Sequence, residues 1–161
     1  MPLDRHWIES RIPHRGSMCL LDEVLDWSTE RIRCRIRTHR AADNPLRAGD
    51  QLGIACGIEY AAQAMAVHGA LAYEAAACAP AKPTGSAAPV PTAGFLAAVR
   101  GVQFYVSRLD DVQDDLICEA VRVAGDLSSA LYEFELRGGS HALLRGRATV
   151  VLDASEQLMM P

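Results

Sequence analysis

The most apolar stretch of the chain, Ile54 to Leu71, holds a single acid, Glu59, with Gln63 one helical turn behind it on the same face. Met65, Ala66 and Val67 leave this stretch almost no polar side, which marks a buried helix. A carboxylate in such a place is costly unless it is paired, hydrogen-bonded, protonated or in use. Two readings follow. Glu59 is a proton donor in an active site, or it is an acid held by an arginine or by backbone groups. The second group able to move a proton is His14, in the break Pro13-His14-Arg15-Gly16. Imidazole titrates near neutral pH and can accept a proton there. A histidine after proline can equally be a loop or capping residue.

The other reactive side chains carry less. His68 falls nearly half a turn out of phase with Glu59 at about 100° per residue, and reads as a partly buried helix residue. His6, His39 and His141 have no metal-ligand spacing. Cys19, Cys34, Cys56, Cys78 and Cys118 are odd in number and widely spaced. They suggest neither a metal site nor a disulfide framework, but reduced thiols in a cytoplasmic protein. Cys19 and Cys56 read as small core residues. The formal net charge of -4 argues against nucleic acid as a partner. The start of the chain, charged at Asp4, Arg5, Glu9 and Arg11, does not resemble a signal peptide, and no window is apolar enough to span a membrane.

The elements that must position these groups can be read in order. Met1 to Ile12 is polar, with anchors at Leu3, Trp7 and Ile8. Met18 to Trp27 reads as a strand. Arg31 to Thr38 is a clear one, with Ile32, Cys34 and Ile36 alternating with Arg31, Arg33, Arg35 and Arg37. Its cationic face is by default solvated. The functional alternative is docking of an acidic partner or a phosphate, to which Arg100 and Arg108 could equally contribute. Ala41 to Gly53 is a loop, and the helix after it is expected to end near Tyr73 or Glu74. Ala75 to Gly94, rich in Ala and Pro, reads as a loop. Strands are expected over Phe95 to Val106, Leu116 to Ala124, Leu131 to Arg137 and Ala142 to Leu152, with a Gly138-Gly139 hairpin turn. Residues 153–161 read as a loose tail. Strands on both sides of one long helix give an α+β class, a single domain over residues 1–161: one curled antiparallel sheet around one helix, dimerised along a sheet edge.

Two segments resemble a known family. Ile12-Pro13-His14-Arg15-Gly16-Ser17-Met18-Cys19-Leu20-Leu21-Asp22-Glu23-Val24-Leu25 is similar to the opening motif of hotdog-fold 3-hydroxyacyl-carrier-protein dehydratases, a Pro-His-Arg before an apolar strand ending in Asp-x-Val. Gly57-Ile58-Glu59-Tyr60-Ala61-Ala62-Gln63-Ala64 is similar to that family's helix motif, Glu followed by Ala-Gln. The resemblance extends over nearly the whole chain and is nearest to the ApeP-like branch of aryl-polyene clusters. It implies a hotdog fold and dehydration of a 3-hydroxyacyl thioester, with His14 as base and Glu59 as acid, contributed by opposite subunits. Free N–H groups around Ile54, at the helix start, would polarise the thioester carbonyl. Gln63 would orient Glu59. It implies no cofactor and no metal, since the substrate rides on phosphopantetheine. The implied partners are an acyl carrier protein and a second hotdog chain, in a homodimer, a higher homo-oligomer or a heterodimer with a paralogue. One departure stands out. Asn44-Pro45-Leu46-Arg47-Ala48-Gly49-Asp50 occupies the place of the Gly-His-Phe-Pro-Gly loop that shapes the substrate tunnel in the common enzymes.

Two other functions compete: a thioesterase of the same fold, using the helix acid to activate water, and a non-catalytic acyl-thioester binder or accessory subunit. His14 in its Pro-His-Arg setting favours dehydration, because hydrolysis does not need that base. The readings separate on whether His14 and Glu59 meet, across a subunit interface, at one apolar tunnel.

Overall fold

A computed structural model describes residues 2–80, 94–126 and 128–151. The charged lead-in folds into a short helix, α1 (Arg5–Glu9), capped by the Asp4 carboxylate, which accepts the Trp7 N–H. Ile8 at 0% exposure anchors it to the core. Two strands follow, β1 (Glu23–Trp27) and β2 (Arg31–Ile36), then the long helix α2 (Gly57–Cys78), then β3 (Phe95–Phe104), β4 (Leu116–Gly125), β5 (Ser129–Gly138) and β6 (His141–Val151). All six strands form one antiparallel sheet in the order β1-β2-β4-β5-β6-β3. Its inner face, including Ile32, Ile36, Ala120, Phe134, Leu136 and Leu144, packs on α2 through Tyr60, Ala61, Ala64, Val67 and Leu71. This is a hotdog fold.

Strand ends shift by one or two residues from the sequence reading, and three boundaries differ by more. The first strand starts at Glu23, not Met18. Gly16–Met18 is a turn of 3-10 helix, and Cys19, Leu20 and Leu21 are all buried in succession, which a two-residue period cannot achieve. Residues Ile54–Cys56 are also 3-10, so α2 proper starts at Gly57. It runs on to Cys78 because Ala75, Ala76 and Ala77 are strong helix formers, and it stops at Ala79, which Pro80 forces out of the helical region. Of the expected loop Ala75 to Gly94, residues 81–93 lie outside the described residues, as does the expected tail.

The arginine face of β2 is an ion-pair ladder rather than a cationic patch. Arg31 and Arg33 each reach Asp26 at 3.0 Å and Glu119 at 3.9 and 3.7 Å, and Arg35 reaches Glu23 at 2.8 Å. The pattern continues across the outer face, with Glu135 between Arg137 and Arg145, and Glu133 on Arg147. Such exposed pairs each contribute little to stability. They do offset most of the positive charge of the face, which weakens the case for docking of an acidic partner there.

The two sheet edges are unlike. Leu3 accepts the Val24 N–H and Asp4 bridges to Glu23, so the N-terminal segment covers the β1 edge. The β3 edge has no strand beyond it among the described residues and exposes Phe95, Leu96 and Phe104. A long apolar edge of this kind is a template for another chain.

Helix and sheet approach closely at Gly57. A Cβ there would stand 2.1 Å from Leu144 Cδ2 and 3.1 Å from Leu136 Cδ2. Gly57→Ala should therefore destabilise the fold by roughly 1–3 kcal/mol in urea denaturation despite its better helix propensity, and an unchanged midpoint would rule this close packing out. Deeper along α2, His68 is fully buried, not partly buried as its position suggested. Its Nε2 donates to Ser28 O at 2.8 Å and its Nδ1 accepts from the Tyr132 hydroxyl at 2.7 Å. Burial pushes its imidazole below the ordinary value of 6.5, and does the same to buried His39. Both are neutral in the fold, while the unfolded chain takes up their protons near pH 6.5. Their contribution is therefore intact above that pH and lost below it. Stability should fall by up to about 1.4 kcal/mol per group for each pH unit below 6.5. Urea midpoints at pH 7.5 and 5.5 test this, with His68→Gln flattening the dependence.

Candidate active site

The His14 loop is held from several directions. Ile12 is buried at 2% exposure and fixes the chain just before Pro13. The Arg15 guanidinium closes the turn on the carbonyls of Ile12 and His14. Gly16 takes φ +57°, a conformation that side chains disfavour, and its carbonyl accepts from Arg5 at 2.8 Å. Beyond the turn, Gln63 holds the chain against α2. Its Oε1 accepts the Leu20 N–H at 2.9 Å, and its Nε2 donates to Met18 O at 2.8 Å and to Glu59 Oε1 at 3.2 Å. Gln63 is 0% exposed, so this amide is a satisfied polar node inside the core.

The result is that His14 Nε2 lies 3.3 Å from Glu59 Oε1. His14 Nδ1 is sealed from solvent and has no partner among the described residues, so Nε2 is the nitrogen that can exchange protons. The two side chains are 29% and 35% exposed, and Glu59 is thus half-buried rather than buried. The sequence motifs bring these residues together as expected, but not in the expected way. They meet within one chain, because the whole segment from Ile12 to Leu21 packs on its own α2.

The helix start also differs from the expectation. The Ile54 N–H is not free. It donates to Ser107 O at 3.0 Å, since the lead into α2 pairs with the end of the β3 connection, where Leu109 N–H donates to Leu52 O and Gly53 bridges to Arg108. The next residue, Ala55, has no acceptor for its N–H among the described residues, is exposed, and lies one turn before Glu59. Periodicity could not separate these two positions, because the difference lies in a pairing with residues far along the chain.

The loop over Ala41 to Gly53 is an anchored structure. Asn44 donates to Tyr60 Oη at 2.8 Å and Thr38 O at 2.9 Å. Asp110, with its side chain 6% exposed, receives Arg108, Arg47 and the Leu52 N–H. The Arg108 guanidinium holds its carboxyl well below the usual carboxylate range. Asn44 and Arg47 are thus committed to holding the loop and the helix start. Cys19 is buried and Cys56 half-buried, and burial pushes both thiols up, as befits packing residues. No cluster of three or more His, Cys, Asp or Glu among the described residues could hold a metal. Among the described residues, no helix is long and apolar enough to cross a membrane. Two open grooves, about 420 and 240 Å³, lie on the charged outer face of the sheet, and neither includes His14 or Glu59.

A family model described as ApeP-like, ApeP dehydratase, matches residues 6–160. Among solved structures the chain is similar to the dehydratase heterocomplex ApeI:P from Xenorhabdus doucetiae, with 20% identity and a TM-score of 0.78 over 99% of this chain and 95% of that one. It is also similar to a mutant thioesterase from Pseudomonas aeruginosa (10% identity, TM-score 0.61, 92% of each chain). A putative thioesterase from Shewanella oneidensis gives 9% identity and a TM-score of 0.60 over 92% and 93%. At these identities the structural likeness speaks to fold. No curated protein matches the sequence.

Gln63→Ala should orphan the buried Leu20 N–H and Met18 carbonyl, at roughly 1–3 kcal/mol for each group left unpaired. A loss below about 0.5 kcal/mol in chemical denaturation would show that the node does not hold the His14 segment.

Proposed function

The chain belongs to the ApeP-like dehydratase family, and on that premise we propose that it removes water from a 3-hydroxyacyl thioester borne on the phosphopantetheine of an acyl carrier protein, giving the trans-2-enoyl thioester. The observation that carries this reading is the 3.3 Å approach of His14 Nε2 to Glu59 Oε1.

The elimination needs one group to take a proton and another to give one. Neutral His14 takes the proton from the carbon next to the thioester carbonyl through Nε2. The carbonyl oxygen gains negative charge, and the Ala55 N–H at the start of α2 donates to it. Glu59, protonated, gives its proton to the 3-hydroxyl, the C–O bond breaks, the C2–C3 double bond forms, and water leaves. This leaves an imidazolium beside a carboxylate. Their contact lets the proton pass straight from Nε2 to Oε1, restoring both groups without solvent. Hydrolysis would need the acid alone and gives no task to a histidine placed this close, so the thioesterase likeness is read as shared fold.

No cofactor takes part in these steps. The free β3 edge and the partial exposure of both reacting side chains support a second hotdog chain, a copy or a paralogue, as the wall that closes the acyl site. The likeness to a dehydratase heterocomplex agrees with a paralogue. Five cysteines without a disulfide suit a reducing, cytoplasmic setting.

Turnover of a 3-hydroxyacyl-carrier-protein substrate, followed by intact mass, should show loss of one water by the wild type. His14→Ala and Glu59→Gln should each lower the rate by about 10²–10⁴ with folding preserved. Free acid in place of the enoyl thioester, or unchanged rates in both variants, would refute the assignment.

A further inference from the structure

We propose that the acid and the base are assembled in cis: each chain carries its own complete His14–Glu59 pair, and a partner chain supplies walls but neither proton-transfer group. The proposal rests on the dehydratase reading for its meaning but not for its geometry.

The contact itself is within one chain, at 3.3 Å. What makes it binding is the number of independent ties around it. Met18 and Leu20 are both bonded to Gln63, which stands one turn from Glu59 on the same helix. Gly16 is bonded to Arg5. Ile12, Cys19, Leu20 and Leu21 are buried in this chain's core, on both sides of the loop. His14 is separated from Met18 by so few residues that its reach is limited to about 13 Å even with the loop fully extended. To serve a partner's Glu59, the segment would have to leave its own core, exposing four apolar side chains and breaking the two hydrogen bonds that join it to a buried amide. Cis assembly keeps all of these.

One consequence concerns mixed assemblies. In a complex with a paralogue that lacks both groups, every copy of this chain retains a working pair. The site count then follows the number of copies of this chain, not the number of interfaces.

Mixed dimers carrying two different tags, purified through both, test this directly. Wild type paired with the double variant His14→Ala/Glu59→Gln should keep about half the rate of the wild-type dimer, and His14→Ala paired with Glu59→Gln should fall to under about 1%. Assembly in trans demands the reverse: no activity in the first pair and about half in the second. A readout independent of turnover accompanies it. In a dimer of a ¹⁵N-histidine wild-type chain with an unlabelled Glu59→Gln chain, the His14 ring nitrogen shifts should match those of the wild-type dimer. Shifts matching the Glu59→Gln dimer would overturn cis assembly. If the chain purifies as a monomer, Glu59→Gln must move those shifts in the monomer, and unmoved shifts would overturn it equally. If no enoyl product forms while the shifts behave as expected, the dehydratase reading falls and cis pairing stands.

Discussion

The active region depends on one buried primary amide. Gln63 has two N–H bonds and one carbonyl oxygen, and every one of them is used: Nε2 on Met18 O and on Glu59 Oε1, Oε1 on Leu20 N–H. Few side chains can replace it. An ionised Glu would accept from Leu20 but have nothing to donate and would repel Glu59. A Leu would fill the volume and strand two backbone groups in the core. The penalty for stranding buried groups exceeds the net gain from making each bond, which is why one amide can fix both the path of a loop and the orientation of a carboxylate.

The other half of the geometry is the origin of α2. Three kinds of constraint converge there. Leu52 and Ile54 are hydrogen-bonded to the connection after β3, Asp110 gathers two arginines and the Leu52 N–H, and Gly57 allows the helix to lie directly on Leu144 and Leu136. Glu59 sits in the first turn after these contacts, so its Cα inherits their precision. The loop that replaces the usual tunnel-forming motif is part of this anchoring, since Arg47 is spent on Asp110 and Asn44 on Tyr60.

Much of this was legible in the sequence, for particular reasons. The β2 alternation of Ile32, Cys34 and Ile36 with arginines gave the strand and its buried face, and the apolar run with Glu59 and Gln63 gave the helix and the site. Periodicity records which face is buried, not what a polar group bonds to. It therefore could not reveal that Arg31, Arg33 and Arg35 would find Asp26, Glu119 and Glu23 on neighbouring strands. Nor could it show that Ser107 would engage the Ile54 N–H and that the Ala55 N–H would have no acceptor among the described residues. The first strand was misjudged at Met18 because Cys19, Leu20 and Leu21 pack on the helix as an irregular segment. Their apolar character was visible, but the amide that replaces their strand pairing stands far along the chain. The family pattern places His14 and Glu59 in opposite subunits, whereas the docking of Ile12 to Leu21 on the chain's own helix brings the two together within one chain.

The single chain completes the proton-transfer pair but not its enclosure. Elimination through an enolate-like state is helped when water is kept from the developing charge. Here both reacting side chains keep about a third of their surface exposed. The same chain carries an apolar strand edge with no strand beyond it among the described residues, and that edge leads into Ser107, the residue bonded to the start of α2. A second chain added to β3 would therefore adjoin the connection that holds the start of α2. On the proposed reading enclosure and association are one event, while the His14–Glu59 pair stays within its own chain. A partner in this role needs only a complementary edge and an apolar surface, and a paralogue without the acid–base pair can meet that demand as well as an identical copy.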